Sequence, residues 1–264
     1  MGTVEDHILL EGVTVKRRGM TVLRDAGLYV PPGIVMGIIG PNGAGKTTLI
    51  SVVNGFVKPV AGKVRVLGED PNALGMAGLR KLRRRTALLP QFSEINQLAP
   101  LSVREVVDIG RAGMRQFGGT SKKIDRKIVE EALDVFGLTE MKDRPYRRLS
   151  GGEQRKVHLA RVFAQEPEIM LLDEPMASLD VTWQERLRKE IQQMWERTGM
   201  TTVIITHETH HLPDACKSIT VLSGGSVMAS GPPEEILDRE VLARAYGNEV
   251  RVLEQQGRTY TLGA

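Results

Sequence analysis

Cysteine is almost absent from this 264-residue sequence: Cys216 stands alone, so no internal disulfide can form and no cysteine cluster can hold a metal. A small apolar place in the core is its expected role. Long apolar runs are missing too. Stretches such as residues 34–39 and 169–172 fall far short of the ~18 residues that cross a bilayer, so any membrane role must come through a partner. The first ten residues include Glu5, Asp6 and His7, without a basic stretch leading into an apolar one. That pattern argues against a secretory signal and for a protein that stays inside the cell. Charge of one sign is not in large excess: 36 Lys and Arg stand against 32 Asp and Glu, and the resulting +4 selects no partner. Aromatic residues make up only 4%, and none interleaves with the basic run Arg80, Lys81, Arg83, Arg84 and Arg85. A solvated helix face is therefore expected there, and nucleic acid is not. What remains is ordinary, with 41% hydrophobic and 26% charged residues, which excludes disordered, collagen-like and disulfide-scaffold classes.

From residue 34 onward, short apolar runs alternate with helix-like stretches, the pattern of an α/β fold with a parallel sheet. Four of those runs end in conspicuous residues: Gly40, Gln91, Asp173 with Glu174, and His207. Ligands bind at the carboxyl ends of the strands in open α/β sheets, so these four groups are expected to share one site. Residues 8–10, 13–15 and 22–28 read as three short strands of a small antiparallel sheet. A capping pair, Ser102 with Glu105, and apolar residues at helical spacing over 124–136 predict a helical insertion over about 93–160. Gly224 and Gly225 predict a hairpin, followed by a helix near Pro233. A second hairpin is expected from residues 250–254 and 258–262, in a C-terminal extension over 241–264 that follows a main domain of residues 1–240.

The segment Gly40-Pro41-Asn42-Gly43-Ala44-Gly45-Lys46-Thr47, followed by Thr48, matches GxxxxGK[ST] between an expected strand and an expected helix. Its glycines let backbone N–H groups wrap a β-phosphate, Lys46 reaches the β- and γ-phosphates, and the Thr47 hydroxyl ligates Mg2+. Asp173, at the end of the next matching strand, would bind Mg2+, and Glu174 would orient or deprotonate the attacking water. Leu149-Ser150-Gly151-Gly152-Glu153-Gln154 leads into another helix, whose start offers a second anion-binding site. His207, His210 and His211 invite a metal reading, but Glu208 and Thr209 intervene and no cysteine assists, so no zinc site is expected. Trp183 and Trp195 fall on one expected helix, where core packing is the default.

Together, GPNGAGKTT, Gln91, LSGGEQ, IMLLDEP, the Ser178-Leu179-Asp180 triplet and His207 resemble the nucleotide-binding subunit of ATP-binding cassette transporters, over about residues 10–237. The resemblance implies a P-loop NTPase (RecA-like) parallel sheet with an N-terminal antiparallel β subdomain and an inserted helical subdomain. It implies ATP and Mg2+ as cofactors, Glu174, His207 and Gln91 as catalytic residues, and Gln91 beside the Mg2+. Ser150, Gly151 and Gly152 would close on ATP held by a second copy of the chain, in a head-to-tail dimer, and Glu153 and Asp180 are further ATP-binding residues that it implies. The family usually sets an aromatic residue against adenine near position 17, where this chain has Lys16, Arg17 and Arg18. Arg17 or Arg18 could stack there instead, or the segment could be a solvated basic turn.

The leading function is the ATPase of an importer, peripheral on the cytoplasmic face of the cell membrane. Its partners would be integral membrane permease subunits and, indirectly, an extracytoplasmic substrate-binding protein. A separate-subunit exporter motor and a soluble, non-transport cassette protein are the alternatives. Pro90-Gln91, residues 101–107 with Gly110-Arg111, and Leu179-Asp180 with Gln184 are similar to the importer group for iron-siderophores, haem, cobalamin, zinc or manganese.

Overall fold

The computed structural model describes residues 6–91, 100–115, 123–247, 251–255 and 258–262. It opens with two long strands, β1 (Ile8–Arg17) and β2 (Met20–Val30), joined at an exposed turn through Arg18 and Gly19. The expected separate strands 8–10 and 13–15 are one strand. Register shifts near Glu11 and Gly12 let β1 bend and continue, where the apolar pattern alone reads as a break. Then come β3 (Val35–Ile39), α1 (Lys46–Val53), β4 (Ala61–Val66), α2 (Met76–Arg85) and β5 (Thr86–Leu89). The helical stretch contributes α3 (Val103–Ala112), α4 (Lys123–Val135) and α5 (Gly151–Phe163). The chain returns to the sheet with β6 (Ile169–Asp173), α6 (Val181–Thr198), β7 (Thr201–Thr206), β8 (Cys216–Ser223) and β9 (Ser226–Gly231). Two short helices, α7 (Pro233–Ile236) and α8 (Arg239–Tyr246), precede the hairpin β10 (Arg251–Gln255) and β11 (Arg258–Leu262).

The main sheet runs β5-β6-β7-β3-β8-β9, parallel throughout except for β9, and β2-β1-β4 form a separate antiparallel sheet. Both faces of the parallel strands are covered, which is why they read as continuous apolar runs. Along β3, Val35 and Ile39 enter a core shared with α3–α6, while Met36 and Ile38 enter a second core beneath the antiparallel sheet and α1. The parallel order brings the carboxyl ends of β5, β6, β7 and β3 to one edge, as the sequence predicts.

Three local expectations hold. Ser102 and Glu105 complete the capping box of α3, the Gly224-Gly225 hairpin joins β8 to β9, and Cys216 is buried with its thiol pushed up to about 11 by desolvation. The basic run departs from a simple solvated face. Arg83 donates to the carbonyls of Asn54 and Gly55 and lies over the Phe56 ring at 4.1 Å, while Arg85 makes a two-point contact with Glu168. Only Arg80 and Lys81 of the five are exposed, and the other three are half-buried. Helical periodicity places the arginines on α2 correctly, but it carries no information about the chain turn at 54–56 that receives Arg83.

His158 of α5 is 3% exposed and shares a 2.8 Å hydrogen bond with the Tyr146 hydroxyl. Burial, assisted by the charges of Arg161 and Arg155, holds its pKa down to about 3. The unfolded chain takes up this proton below about pH 6.5 and the folded chain does not, so the stability from the neutral ring is present above 6.5 and is lost as pH falls toward 3. Urea denaturation at pH 7 and pH 5 should show about 2 kcal/mol less loss between the two for His158→Gln than for the parent chain. An identical loss in both would exclude His158 as its source.

Candidate nucleotide-binding site

The loop of residues 40–47 leaves the end of β3 and turns directly into α1. Gly40 is the tightest point: its φ is 149°, and a Cβ there would sit 2.0 Å from the Leu222 carbonyl oxygen of β8. No other residue type fits without moving the neighbouring strand. Lys46, 6% exposed, donates from Nζ to the carbonyls of Gly40 at 2.6 Å and Pro41 at 3.0 Å. Its ammonium is thus held in the mouth of the loop. Burial lowers its pKa, and the charges of Glu174 and Asp173 oppose that shift. A cavity of about 260 Å³ opens here, lined by Asn42 through Thr48 together with Val22, Gln91 and Glu174. Three of the four expected strand ends therefore meet at one cavity, and the fourth reaches it through Glu174.

Asp173 and Glu174 close β6 at 3% and 5% exposure. Desolvation raises the Asp173 pKa, and the Thr47 hydroxyl partly counters it. Among the described residues, Asp173 Oδ1 and Glu174 Oε2 are buried oxygens without a hydrogen-bond partner. Such groups are expensive unless a cation or a water completes them, so the donor set Thr47 and Asp173, hard oxygens beside a phosphate loop, fits Mg2+. Glu174 itself has φ 48°, a conformation costing a non-glycine residue on the order of 1 kcal/mol, and it is pinned by its N–H donating to the Ile205 carbonyl at 3.0 Å. His207, at the end of β7, sets Nδ1 2.9 Å from Glu174 Oε1. The Tyr246 hydroxyl of α8 donates to the His207 carbonyl at 3.1 Å, bracing that loop from behind.

The second glycine motif lies outside this cavity. Ser150 caps α5 and forms a capping box with Glu153, whose carboxylate accepts from the Ser150 N–H at 2.8 Å. Glu153 is thereby turned back on its own helix. Gly151 is exposed, while Gly152 lies under the Trp183 ring, so close that a Cβ would be 2.2 Å from it. Trp183 is thus not a core residue, as the sequence suggested; it packs on the glycine that its own helix faces. Trp195, by contrast, packs against the core and donates to the Gly33 carbonyl. Asp180 caps α6 by accepting from the Trp183 N–H at 3.0 Å. Arg17 and Arg18 sit at the exposed tip of the β1–β2 hairpin, and the residues lining the cavity include Val22 from that hairpin instead.

One central residue escaped the sequence reading. Arg155, on α5 and 9% exposed, donates to the carbonyls of Pro175, Pro90, Gln91, Asp173 and Glu174, at 2.7–3.3 Å. Its partners are backbone oxygens on two other segments, which leave no side-chain pattern to find. Nor did sequence spacing anticipate the histidines. Glu208, read as an interruption between them, gathers with His210 and His211 into one cluster, whereas His207 sets Nδ1 on Glu174 and leaves Nε2 3.7 Å from Glu208 Oε1.

Comparison with known proteins agrees with this geometry. Residues 23–177 match the model of the ABC transporter family. The chain is 35% identical over 245 residues to the hemin import ATP-binding protein HmuV of Rhodococcus jostii, covering 92% of this chain and 81% of that one. It is 34% identical over 241 residues to the cobalamin import ATP-binding protein BtuD of Halobacterium salinarum, covering 91% of this chain and 59% of that one. Among solved structures, cbiO1 of Clostridium perfringens, part of the ABC transporter complex cbiONQ, superposes with a TM-score of 0.80 at 30% identity, covering 91% of this chain and 94% of that one. A phosphate loop, an adjacent buried acid pair and a separate glycine-capped helix, in a chain with these relatives, have one reading: the chain belongs to the ABC transporter family, as one of its ATPases.

Proposed function

We propose that this chain is the ATP-hydrolysing subunit of an importer that energises uptake of a metal or metal chelate through a separate permease. The observation that carries the hydrolytic reading is the buried Glu174 carboxylate, with one oxygen on His207 and the other unpaired, at the edge of the phosphate-loop cavity. Backbone N–H groups of residues 43–47 and the Lys46 ammonium would bind the phosphates of ATP, which draws Lys46 off the loop carbonyls. Thr47 and Asp173 would hold Mg2+, with Gln91 at its edge, and the ion supplies charge neutralisation on the phosphates. Glu174 would orient water in line with the γ-phosphate and receive its proton, and His207 would hold the Glu174 carboxyl in place and reach the γ-phosphate.

The import reading rests on the relatives that carry hemin or cobalamin import in their names. No described helix is long and apolar enough to cross a membrane, so translocation needs permease partners. A cavity of about 630 Å³ between α2 and α3 supports a docking place: it is lined by the largely exposed Met76, by Ile109 and Met114, and by Arg80 and Arg84. That chemistry suits an amphipathic permease segment on the cytoplasmic face of the membrane, with a substrate-binding protein engaged only through the permease. Haem, cobalamin, iron-siderophores, zinc and manganese are the cargo class.

Glu174→Gln should retain ATP affinity while slowing hydrolysis at least about 100-fold, because the amide keeps the shape and cannot accept a proton. Lys46→Ala should instead weaken ATP binding about tenfold or more. Calorimetric ATP titration beside a phosphate-release assay separates the two, and near-normal turnover of Glu174→Gln would remove Glu174 from the catalytic role.

Lys46 and Glu174 surround one half of a nucleotide site, and Ser150, Gly151 and Gly152 offer another half outside that cavity. Two copies placed head to tail complete both. Light scattering with Mg-ATP should therefore show a dimer for Glu174→Gln and a monomer for Glu174→Gln combined with Ser150→Arg. A persistent monomer in both would count against the shared site.

Adenine would lie against the β1–β2 hairpin. Stacking by Arg17 predicts a two- to fivefold weaker ATP affinity in Arg17→Ala, restored by Arg17→Tyr. Equal affinities in all three would leave Arg17 as part of a solvated turn.

A further inference from the structure

The cluster beside His207 has a composition the nucleotide site does not use. Within the four residues that follow His207, Glu208, His210 and His211 each present one ligand-type atom, and the three atoms lie within 4.8 Å of one another. His210 Nε2 is 3.4 Å and His211 Nε2 2.8 Å from the same carboxylate oxygen, Glu208 Oε2. Ligands spaced about 3.3 Å apart are what a tetrahedral ion with bonds of about 2.05 Å requires, so small shifts would complete the geometry.

The placement of His211 strengthens the case. Its Nδ1 lies 3.2 Å from Thr206 Oγ1, while its Nε2 faces the Glu208 carboxylate at 2.8 Å. Holding one ring nitrogen by an outer partner while the other faces the ion is the usual way a ligating histidine is oriented. His211 is 2% exposed, so the ring cannot turn away. The C-terminal hairpin covers the outer side, with Tyr260 stacked on His210 at 4.8 Å and the Thr209 hydroxyl bonded to the Thr259 carbonyl.

We propose that Glu208, His210 and His211 form a binding site for a divalent first-row transition cation of the zinc class, and that the bound ion restrains the loop carrying His207. Two imidazoles and one carboxylate are a donor set for Zn2+ or Fe2+, and are poor ligands for Mg2+. The regulatory part rests on the catalytic reading of Glu174 and His207. A restrained loop keeps His207 Nδ1 on Glu174 Oε1 and the ring from swinging out to the γ-phosphate, so the occupied site slows hydrolysis.

Zn2+ is titrated calorimetrically into the nucleotide-free full chain, in buffer containing Mg2+. One equivalent should bind, His210→Ala should weaken it at least about 100-fold, beyond what loss of an outer-sphere partner does, and Glu208→Gln should weaken it comparably. His207→Ala should leave the affinity within threefold. Co2+ should give the visible absorption of a tetrahedral or five-coordinate ion, lost in His210→Ala. With excess Mg-ATP, Zn2+ should lower turnover at least threefold in the parent chain and leave His210→Ala unchanged. Absence of stoichiometric binding, equal binding by His210→Ala, or loss of binding in His207→Ala would overturn the site. Binding without any change in turnover would overturn its regulatory role. A parent chain that binds Zn2+ but hydrolyses no ATP would overturn the catalytic reading and leave the metal site standing.

Discussion

The Arg155 guanidinium is the junction on which the site depends. It rises from α5, the helix that begins at the exposed glycine motif, and ends among carbonyl oxygens from the segment after β5 and the segment after β6. A buried guanidinium without partners is costly, and here five backbone acceptors satisfy it in a planar fork that Lys could not reproduce. Desolvation lowers its pKa to about 10 while Asp173 and Glu174 oppose the shift, so it remains charged at neutral pH. The acid pair, the Gln91 segment and the glycine-capped helix are thereby tied together through one side chain.

That coupling explains which parts of the molecule could be read from the sequence. The phosphate loop, the acid pair and the Ser102–Glu105 capping box are side-chain motifs whose spacing is local, and the structure assembles them as their residue types predict. Both hairpins were equally legible, because alternation and turn glycines are local as well, whereas the antiparallel start was read only in part: the irregularity in β1 looked like a break, and the third strand, β4, comes from residues 61–66. Arg155 was not, since its acceptors are main-chain oxygens distant in sequence and any residue could supply them. The same limit hid the contact of Trp183 with Gly152, which depends on how α6 lies across the start of α5. Glu208 illustrates a different failure: a residue between two candidate ligands looks like an interruption in a linear string, yet the 3-10 turn at Thr209–His211 folds its carboxylate back onto them.

The C-terminal segment has a clearer purpose in the structure than in the sequence. Tyr246 braces the His207 carbonyl, and the β10–β11 hairpin leans on the turn that follows. Burial pushes the Tyr246 phenol well above its ordinary range, so it remains a neutral donor under all ordinary conditions. The residue that faces Glu174 is therefore supported from outside the parallel sheet, by elements the phosphate-binding motifs alone would not call for.

The strand order carries a consequence for how the chain is made. β3, which launches the phosphate loop, is hydrogen-bonded on one side to β7 and on the other to β8, so Val35 pairs with both Thr202 and Cys216. Nothing near it in sequence can take either place. At ribosomal rates of about 5–20 residues per second, β3 waits on the order of ten seconds or more before its neighbours emerge. Through that interval five consecutive apolar positions, later fully enclosed, are exposed to other nascent chains. Closing the centre of the sheet is thus a late event in biogenesis, and the newborn chain is most vulnerable to aggregation in the same strand that later presents the nucleotide loop.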